Sequence, residues 1–354
     1  MVIVDFSHLG HRNLYTAISL AKPKKSNKKY ITDEFMPMFY HLMLNSLRHI
    51  SRKFPNNEIV LAIDGKNNWR KEIYPEYKGH RKKNRDESDI NFNEYFSKLE
   101  AFINILDKCF PYKVIKVDGV EADDIIAVLS KRIEGTIVVT SDKDMKQCLL
   151  YNARMYDPIK QKEIEDSLEN IKLFKDIHVL IGDKSDNVPS VREGLEYSTD
   201  FIKFLKENNV FVYDVDKLEF EYKDLFEKIK KEFEEKCPDK DIYKKARFGE
   251  KTALKFLREG HFKEALLSKK FKYNYKRNQQ LIDFDFIPKK VEEKIWKTYL
   301  EKEVEYNGQC IQKFLLKFNL NEQFMNMNDF SMQSKVQENL HQNNHKTSEL
   351  DEWS

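Results

Sequence analysis

Aspartates recur in this sequence where short apolar runs end. Val2–Val4 leads into Asp5, Ile59–Ile63 into Asp64, and Thr136–Thr140 through Ser141 into Asp142. Asp144 follows in SDKD, Glu121, Asp123 and Asp124 stand together in VEADD, and Asp183 and Asp186 in IGDKSDN. Singly, each group reads as a helix cap or a turn. Five such groups in series suggest a shared site. Nine carboxylates in one small volume are unstable unless protons or cations neutralise part of their charge. The stretches around them offer no Cys or His ligand, so the donors are all hard oxygen, which favours Mg²⁺ or Mn²⁺ over zinc. Two such ions about 4 Å apart can activate a water and stabilise the leaving oxygen of a phosphodiester.

The elements that must position these groups follow from the apolar pattern. The runs before Asp5, Asp64 and Asp142, with Lys113–Val117 before Asp118, are continuous and short, as expected of buried strands in a mostly parallel α/β sheet. In open sheets of this kind ligands bind at the carboxyl ends of the strands. Phe35, Met38, Phe39, Leu42, Leu47 and Ile50 share one helical face, as do Ile125, Ile126, Val128 and Leu129. Past about residue 190 the strands fade. Phe201–Asn208, Lys223–Lys236, Lys251–Glu259 and Glu292–Lys302 read as helices laced with Lys and Glu, and Cys237-Pro238 breaks the longest. No solenoid period is present.

Cations cluster in a different place from the acids. Between Trp69 and Arg85 stand Arg70, Lys71, Lys78, Arg81, Lys82, Lys83 and Arg85 against Glu72 and Glu76 alone, interleaved with Trp69, Tyr74 and Tyr77. Cations with rings suit the gripping of a single strand; taken without the acidic groups, a solvated basic loop is an equal alternative. Lys22–Lys29, with five lysines and no acid, reads first as a solvated loop and second as a duplex-backbone contact. In Phe248-Gly-Glu-Lys-Thr-Ala253 a helix opens after Gly249, with Lys251 and Thr252 in its first turn, where backbone N–H groups can hold a phosphate. His8 and His11 lie close to Asp5 but read as ordinary helix histidines. Ser331–Ser354, rich in Gln, Asn, His and Ser, reads as a poorly ordered tail; Met332, Val336, Leu340 and the closing Leu350–Trp353 suggest a peptide that docks a partner.

Composition bounds the class. The 354 residues fit two domains, and 40% apolar content excludes wholesale disorder. No run approaches the length of a membrane span, and the N-terminus carries no secretory pattern, so a cytoplasmic protein is expected. Cys109, Cys148, Cys237 and Cys310 form no CxxC pair and are expected as reduced thiols. A net charge of +3 from 62 cations and 59 acids conceals opposed local fields, one acidic and one basic. Binding to a nucleic acid should therefore weaken with salt.

In order along the chain, DF, AIDG, WRKEIYPEYKGHRKKNR, VEADD, TSDKDM and IGDKSDNVP resemble the 5′-nuclease superfamily of flap endonucleases and 5′→3′ exonucleases. LIDFDFIP, Leu281–Pro288, resembles that family's bacteriophage RNase H branch. The resemblance extends from Met1 to about residue 320. It implies an α/β catalytic domain over 1–190 with a basic arch at about 69–100, and a helical DNA-binding domain over 191–330 with a helix–hairpin–helix-type module. The polar tail over 331–354 follows. It also implies two Mg²⁺ ions, with Mn²⁺ able to substitute, on Asp5, Asp64, Glu121, Asp123, Asp124, Asp142, Asp144, Asp183 and Asp186. The family tolerates a neutral residue at the position of Asp123.

Arg70 and Lys78, with Arg81 alongside, match the cations that reach the scissile phosphate, and the arch is expected to be mobile until nucleic acid arrives. Tyr77, Lys82, Lys83 and Arg85 then contact the strand, and Gly249, Lys251 and Thr252 the duplex. That duplex-binding module normally follows the final aspartates closely, but about 55 residues separate Val191 from Arg247 and the usual paired glycines are reduced, so a K⁺ site there does not follow.

The implied activity is removal of RNA primers and 5′ flaps from RNA–DNA and DNA duplexes during replication in a phage-infected bacterium. The enzyme would act as a monomer, with a single-strand-binding protein or sliding clamp as partner. Two other readings compete. A PIN-type RNA-only ribonuclease needs fewer carboxylates and no GEKTA-like module. A non-catalytic binder of branched DNA would have lost some of the metal aspartates.

Overall fold

The apolar runs form the strands they foreshadow. In the computed structural model, which describes residues 1–244 and 248–336, the chain opens with β1 (Val2–Asp5) and α1 (Phe6–Ala21). A hairpin, β2 (Lys25–Ser26) and β3 (Lys29–Tyr30), leads to α2 (Thr32–Lys53) and β4 (Ile59–Ile63). Next come α3 (Arg70–Ile73), α4 (His80–Glu87), α5 (Phe92–Cys109), β5 (Lys113–Lys116), α6 (Ala122–Arg132) and β6 (Ile137–Val139). A 3-10 helix over Lys143–Tyr151 precedes β7 (Arg154–Asp157), β8 (Lys162–Ile164) and α7 (Leu168–Ile181). The remainder is helical: α8 (Thr199–Glu207), α9 (Lys223–Lys236), α10 (Glu250–Arg258), α11 (His261–Ala265) and α12 (Lys269–Ile282). Last come α13 (Lys289–Glu301), α14 (Gly308–Lys317) and α15 (Asn321–Met325).

Six strands make one sheet in the order β5-β4-β1-β6-β7-β8, parallel except for β8. β1 sits between β4 and β6, with Asp5 opposite Ala62 and Val4 opposite Val139. The carboxyl ends of the three strands are thus aligned. All four residues of β1 and all five of β4 are buried, as a sheet covered on both faces requires. β7, β8 and the small hairpin carry too many polar residues to announce themselves as strands. The lysine run over 22–29 is mostly exposed, as a solvated segment is expected to be, but it is an ordered hairpin: it turns through β2 and β3, and Lys25 pairs with Asp89 at 2.6 Å while Lys29 donates to the Asp86 and Ser88 carbonyls.

The backbone divides into two compact units that are discontinuous in sequence. Among the described residues the first comprises 1–69, 81–171 and 287–336; the second comprises 70–80, 172–244 and 248–286. These bounds do not coincide with a linear cut at 190. The helices after residue 286 return to the first unit, where Ile311, Phe314, Leu315 and Phe330 join Phe39, Tyr40, Phe102 and Phe110 in one core. Stacked Phe102 and Phe314 lie 5.6 Å apart.

The second unit has separate apolar clusters. Residues 197–242 assemble around Phe201, Phe204, Phe226 and Phe233, and α7, α10 and α12 meet around Leu180, Phe256 and Phe271.

The expected state of two cysteines is corrected. Cys109 at the end of α5 and Cys310 in α14 form a disulfide, with Cα atoms 5.8 Å apart. Separated by 201 residues, they become neighbours only because α14 packs into the first unit's core. Cys148 and Cys237 are free thiols. The docking motif expected of the tail falls mostly outside the described residues, which end at Val336. Among the described residues no helix is long and apolar enough to cross a membrane.

Candidate functional site

The first unit's carboxylates gather at the carboxyl edge of its sheet. Asp5 closes β1 and is 3% exposed. One of its oxygens accepts the His8 backbone N–H at 2.9 Å, and the other accepts the Thr140 hydroxyl at 2.9 Å. Burial pushes the carboxyl up to about 6; the His8 and Thr140 contacts oppose this, and the charge of Asp64 adds to it. Thr140 also accepts the Asp142 N–H at 3.0 Å, so one hydroxyl ties the end of β1 to the loop after β6. Asp142 then caps the 3-10 helix by accepting the Asp144 N–H at 2.9 Å.

Asp64 is exposed, one residue beyond β4. Its backbone N–H donates to the Ser7 hydroxyl at 3.0 Å, and its carboxylate accepts the Ala122 N–H at 2.8 Å. The turn behind it requires glycine: a Cβ on Gly65 would stand 1.9 Å from the Val117 carbonyl oxygen. Ala122 begins α6, so Asp64 uses a free donor of that helix N-terminus, where negative charge is favoured. Glu121 and Asp124 form a capping box at the same terminus, with the Glu121 N–H donating to Asp124 at 3.1 Å. Asp124 is fully buried and accepts the Trp69 indole N–H at 3.0 Å. Trp69 is itself buried, so it supports a carboxylate and offers no exposed ring to a base. Asp123 lies near enough to Cys148 to help burial push that thiol up to about 12.

The second unit holds another carboxylate group and a cation. Gly182, at φ +73°, lets the chain leave α7; a Cβ there would sit 2.3 Å from the Val188 carbonyl oxygen. Asp183 and Val188 exchange backbone hydrogen bonds at 2.9 and 2.7 Å, closing a loop. The Ser185 N–H and hydroxyl both donate to Asp183 at 2.7 Å. His178 Nε2 stands 3.5 Å from the same carboxylate. Burial opposes its charge, yet His178 and Ser185 hold this carboxyl well below the usual carboxylate range. Lys78, at φ +55°, donates its N–H to the Asp186 carbonyl at 2.8 Å and places Nζ 3.4 Å from the Asp186 carboxylate. The Tyr77 hydroxyl donates to that carboxylate at 2.8 Å.

These positions change several expectations. Tyr77 is 2% exposed, so its ring is not open for base stacking; it orients Asp186. Arg70 is equally buried and its Nε donates to the Leu281 carbonyl at 2.9 Å, bracing α3 against the end of α12. In this conformation it presents no guanidinium to solvent. The arch residues fold into α3 and α4 on either side of a turn, with Arg81, Lys82, Lys83 and Arg85 exposed on α4. Gly249, Lys251 and Thr252 are exposed at the start of α10, as expected.

Two histidines, His8 beside the first unit's acidic edge and His178 beside Asp183 in the second, are not singled out by the sequence as supports of those carboxylates. The His8 ring meets the Ser141 hydroxyl at 2.8 Å, across 133 residues of sequence. His178 precedes Asp183 by little more than one helical turn, a spacing that could have been noticed.

Known proteins resemble the chain in the region that carries the acidic edge. Residues 1–175 match the family model of the 5′-3′ exonuclease N-terminal resolvase-like domain. Ribonuclease H of Enterobacteria phage T4 is 32% identical over 200 residues, covering 54% of this chain and 62% of the relative. A 5′-3′ exonuclease of Buchnera aphidicola is 29% identical over 161 residues, covering 42% and 53%. The chain thus spans less than two thirds of either relative's own length. The structure of the phage T5 D15 protein co-crystallised with metal ions has a TM-score of 0.47 at 16% identity, covering 85% of this chain and 98% of that one. Over residues 1–175 the chain is thus similar to the N-terminal domain of the 5′-3′ exonucleases.

Proposed function

We propose that this chain is a divalent-metal-dependent 5′-nuclease. It hydrolyses phosphodiesters at the 5′ ends of RNA–DNA and DNA duplexes, and so removes RNA primers and 5′ flaps in replication. The observation that carries the reading is the convergence of Asp5, Asp64, Glu121, Asp124, Asp142 and Asp144 on one sheet edge and the adjoining helix termini.

The donor set fits a hard cation. It consists of carboxylate oxygens, and a buried carboxyl such as Asp5 becomes fully ionised at neutral pH when a cation stands beside it. Asp5, Asp64, Glu121, Asp124, Asp142 and Asp144 would hold Mg²⁺ or Mn²⁺, with Asp123 beside them on α6. Asp183 and Asp186 form a second oxygen-donor group suited to the same class of ion. When bound, such ions lower the pKa of a water and stabilise an oxyanion.

The chain's own groups supply the rest. Thr140 fixes both the Asp5 carboxylate and the backbone of Asp142, so the oxygens are set before an ion arrives. The start of α6 draws on Asp64 and orients it. Lys78, which stands 3.4 Å from Asp186, is proposed to meet negative charge as it grows on a phosphate. Arg81, Lys82, Lys83 and Arg85 are proposed strand contacts, and Gly249, Lys251 and Thr252 duplex contacts, because each is exposed.

Purified protein with Mg²⁺ or Mn²⁺ should cleave a 5′-tailed duplex and an RNA–DNA hybrid more readily than free RNA, and Asp142→Asn should abolish this. Inertness toward every 5′-ended duplex, or undiminished cleavage by the variant, would overturn the reading.

A further inference from the structure

Helix α12, KKFKYNYKRNQQLI, carries five cations and no acid over its 14 residues. Its two faces differ sharply. Phe271, Asn274, Arg277, Asn278 and Leu281 are buried, and the inward cations are engaged: Lys270 with Glu219 at 2.8 Å, Arg277 with Glu193 at 3.6 Å. Lys269, Lys272, Tyr273, Lys276 and Gln280 are exposed. Lys269 has Glu221 at 3.5 Å, whereas Lys272 and Lys276 have no ion-pair partner among the described residues. The 57% exposure of Tyr273 leaves its ring in solvent between them.

We propose that this exposed row is a binding site for the sugar–phosphate backbone of a nucleic-acid duplex. At a rise of about 1.5 Å per residue, Lys269 to Lys276 extends about 10 Å, comparable to three phosphate-to-phosphate steps of about 3.4 Å each along a duplex axis. The row is also rigid before binding. Asn274 donates to the Val191 and Glu193 carbonyls at 3.0 and 2.7 Å, and Asn278 to those of Val179 and Pro189 at 2.9 and 2.8 Å. A fixed row suits a stiff ligand, because little ordering remains to be done on association. A single strand is gripped instead by successive rings, and this row holds one. Tyr273 therefore packs against sugar edges.

This deepens the nuclease reading and rests on it for the ligand's identity. The experiment measures binding of the full chain to a 20-base-pair duplex and to a 20-nucleotide single strand, in EDTA, at several salt concentrations. Lys272→Ala/Lys276→Ala should weaken duplex binding about tenfold and reduce the slope of log K against log salt by about 2, since each phosphate contact contributes about 0.9. Tyr273→Ala should weaken duplex binding without changing the slope.

Single-strand affinity should fall less than duplex affinity. The control Lys228→Ala/Lys231→Ala, two exposed lysines of α9, should leave both quantities unchanged. An unchanged slope in the α12 variant, an equal effect of the control, or a larger loss on the single strand overturns the proposal. Cleavage is not read in EDTA, so the two ideas fail separately. An unaltered slope with intact cleavage in Mg²⁺ defeats only the row, and absent cleavage with an altered slope defeats only the nuclease.

Discussion

At the scale of single residues, Asp5 carries the clearest conflict between folding and chemistry. An ordinary aspartate titrates near 3.8, and burial pushes this one up to about 6 in the metal-free protein. Below about pH 3 both folded and unfolded forms hold the proton, so the group has no effect on stability. Between about 3 and 7 the unfolded chain releases it first, and the folded state loses stability as pH rises; above 7 the cost is constant. Asp5→Asn should therefore raise metal-free stability at pH 7.5 by on the order of 3 kcal/mol, and leave it nearly unchanged at pH 3. Urea midpoints in EDTA check this, while the same variant should lose cleavage by orders of magnitude. Lys78→Ala should lower kcat at least tenfold with little change in substrate affinity, because the charge it meets grows only in the transition state. Single-turnover rates beside equilibrium binding separate the two. Asp5, Asp64 and Asp142 were legible because an apolar run ending in an acid is a local pattern. The burial of Tyr77 and Arg70, and the His8 contact with Ser141, were not, because each depends on a partner distant in sequence.

At the scale of elements, the strands that pattern alone could find were those buried on both faces. β1 and β4 have the expected bounds to within a residue, whereas β7, with exposed Arg154 at one end, reads as irregular chain. The helices rich in Lys and Glu were found because their few apolar positions keep the helical period, as Phe226, Ile229 and Phe233 do in α9. α12 shows what pattern does not reveal. Its asparagines look like surface residues in the sequence, yet Asn274 and Asn278 are buried and hold four carbonyls of the segment 179–193 around the Asp183–Asp186 loop. Asn278→Ala would leave the Val179 and Pro189 carbonyls without that donor. It should cost about 1–3 kcal/mol of stability, read from the denaturant midpoint. Cleavage at a permissive temperature should fall more than the unfolded fraction explains, since the loop loses its brace. Equal losses would reduce Asn278 to a purely structural role.

At the scale of the whole molecule, the chain is not arranged as its sequence order suggests. The segment 70–80 belongs to the second compact unit, and residues after 286 return to the first. No local signal announces such a return. It becomes visible only when Phe314 and Phe330 are found in the core with Tyr40 and Phe110. The Cys109–Cys310 bond follows from the same return. In the chain-entropy view, closing a loop of 201 residues contributes up to about 5 kcal/mol. Cys310→Ser should accordingly lower Tm under oxidising conditions and have no further effect once the wild type is reduced. The bond also turns residues 109–310 into a covalent ring that contains the 172–286 part of the second unit, α6 and the SDKD segment, and leaves 70–80 outside it. A protease cut anywhere inside that ring leaves one molecule, not two. Such a nicked chain should keep its full mass on a non-reducing gel and separate into two fragments only when a thiol is added.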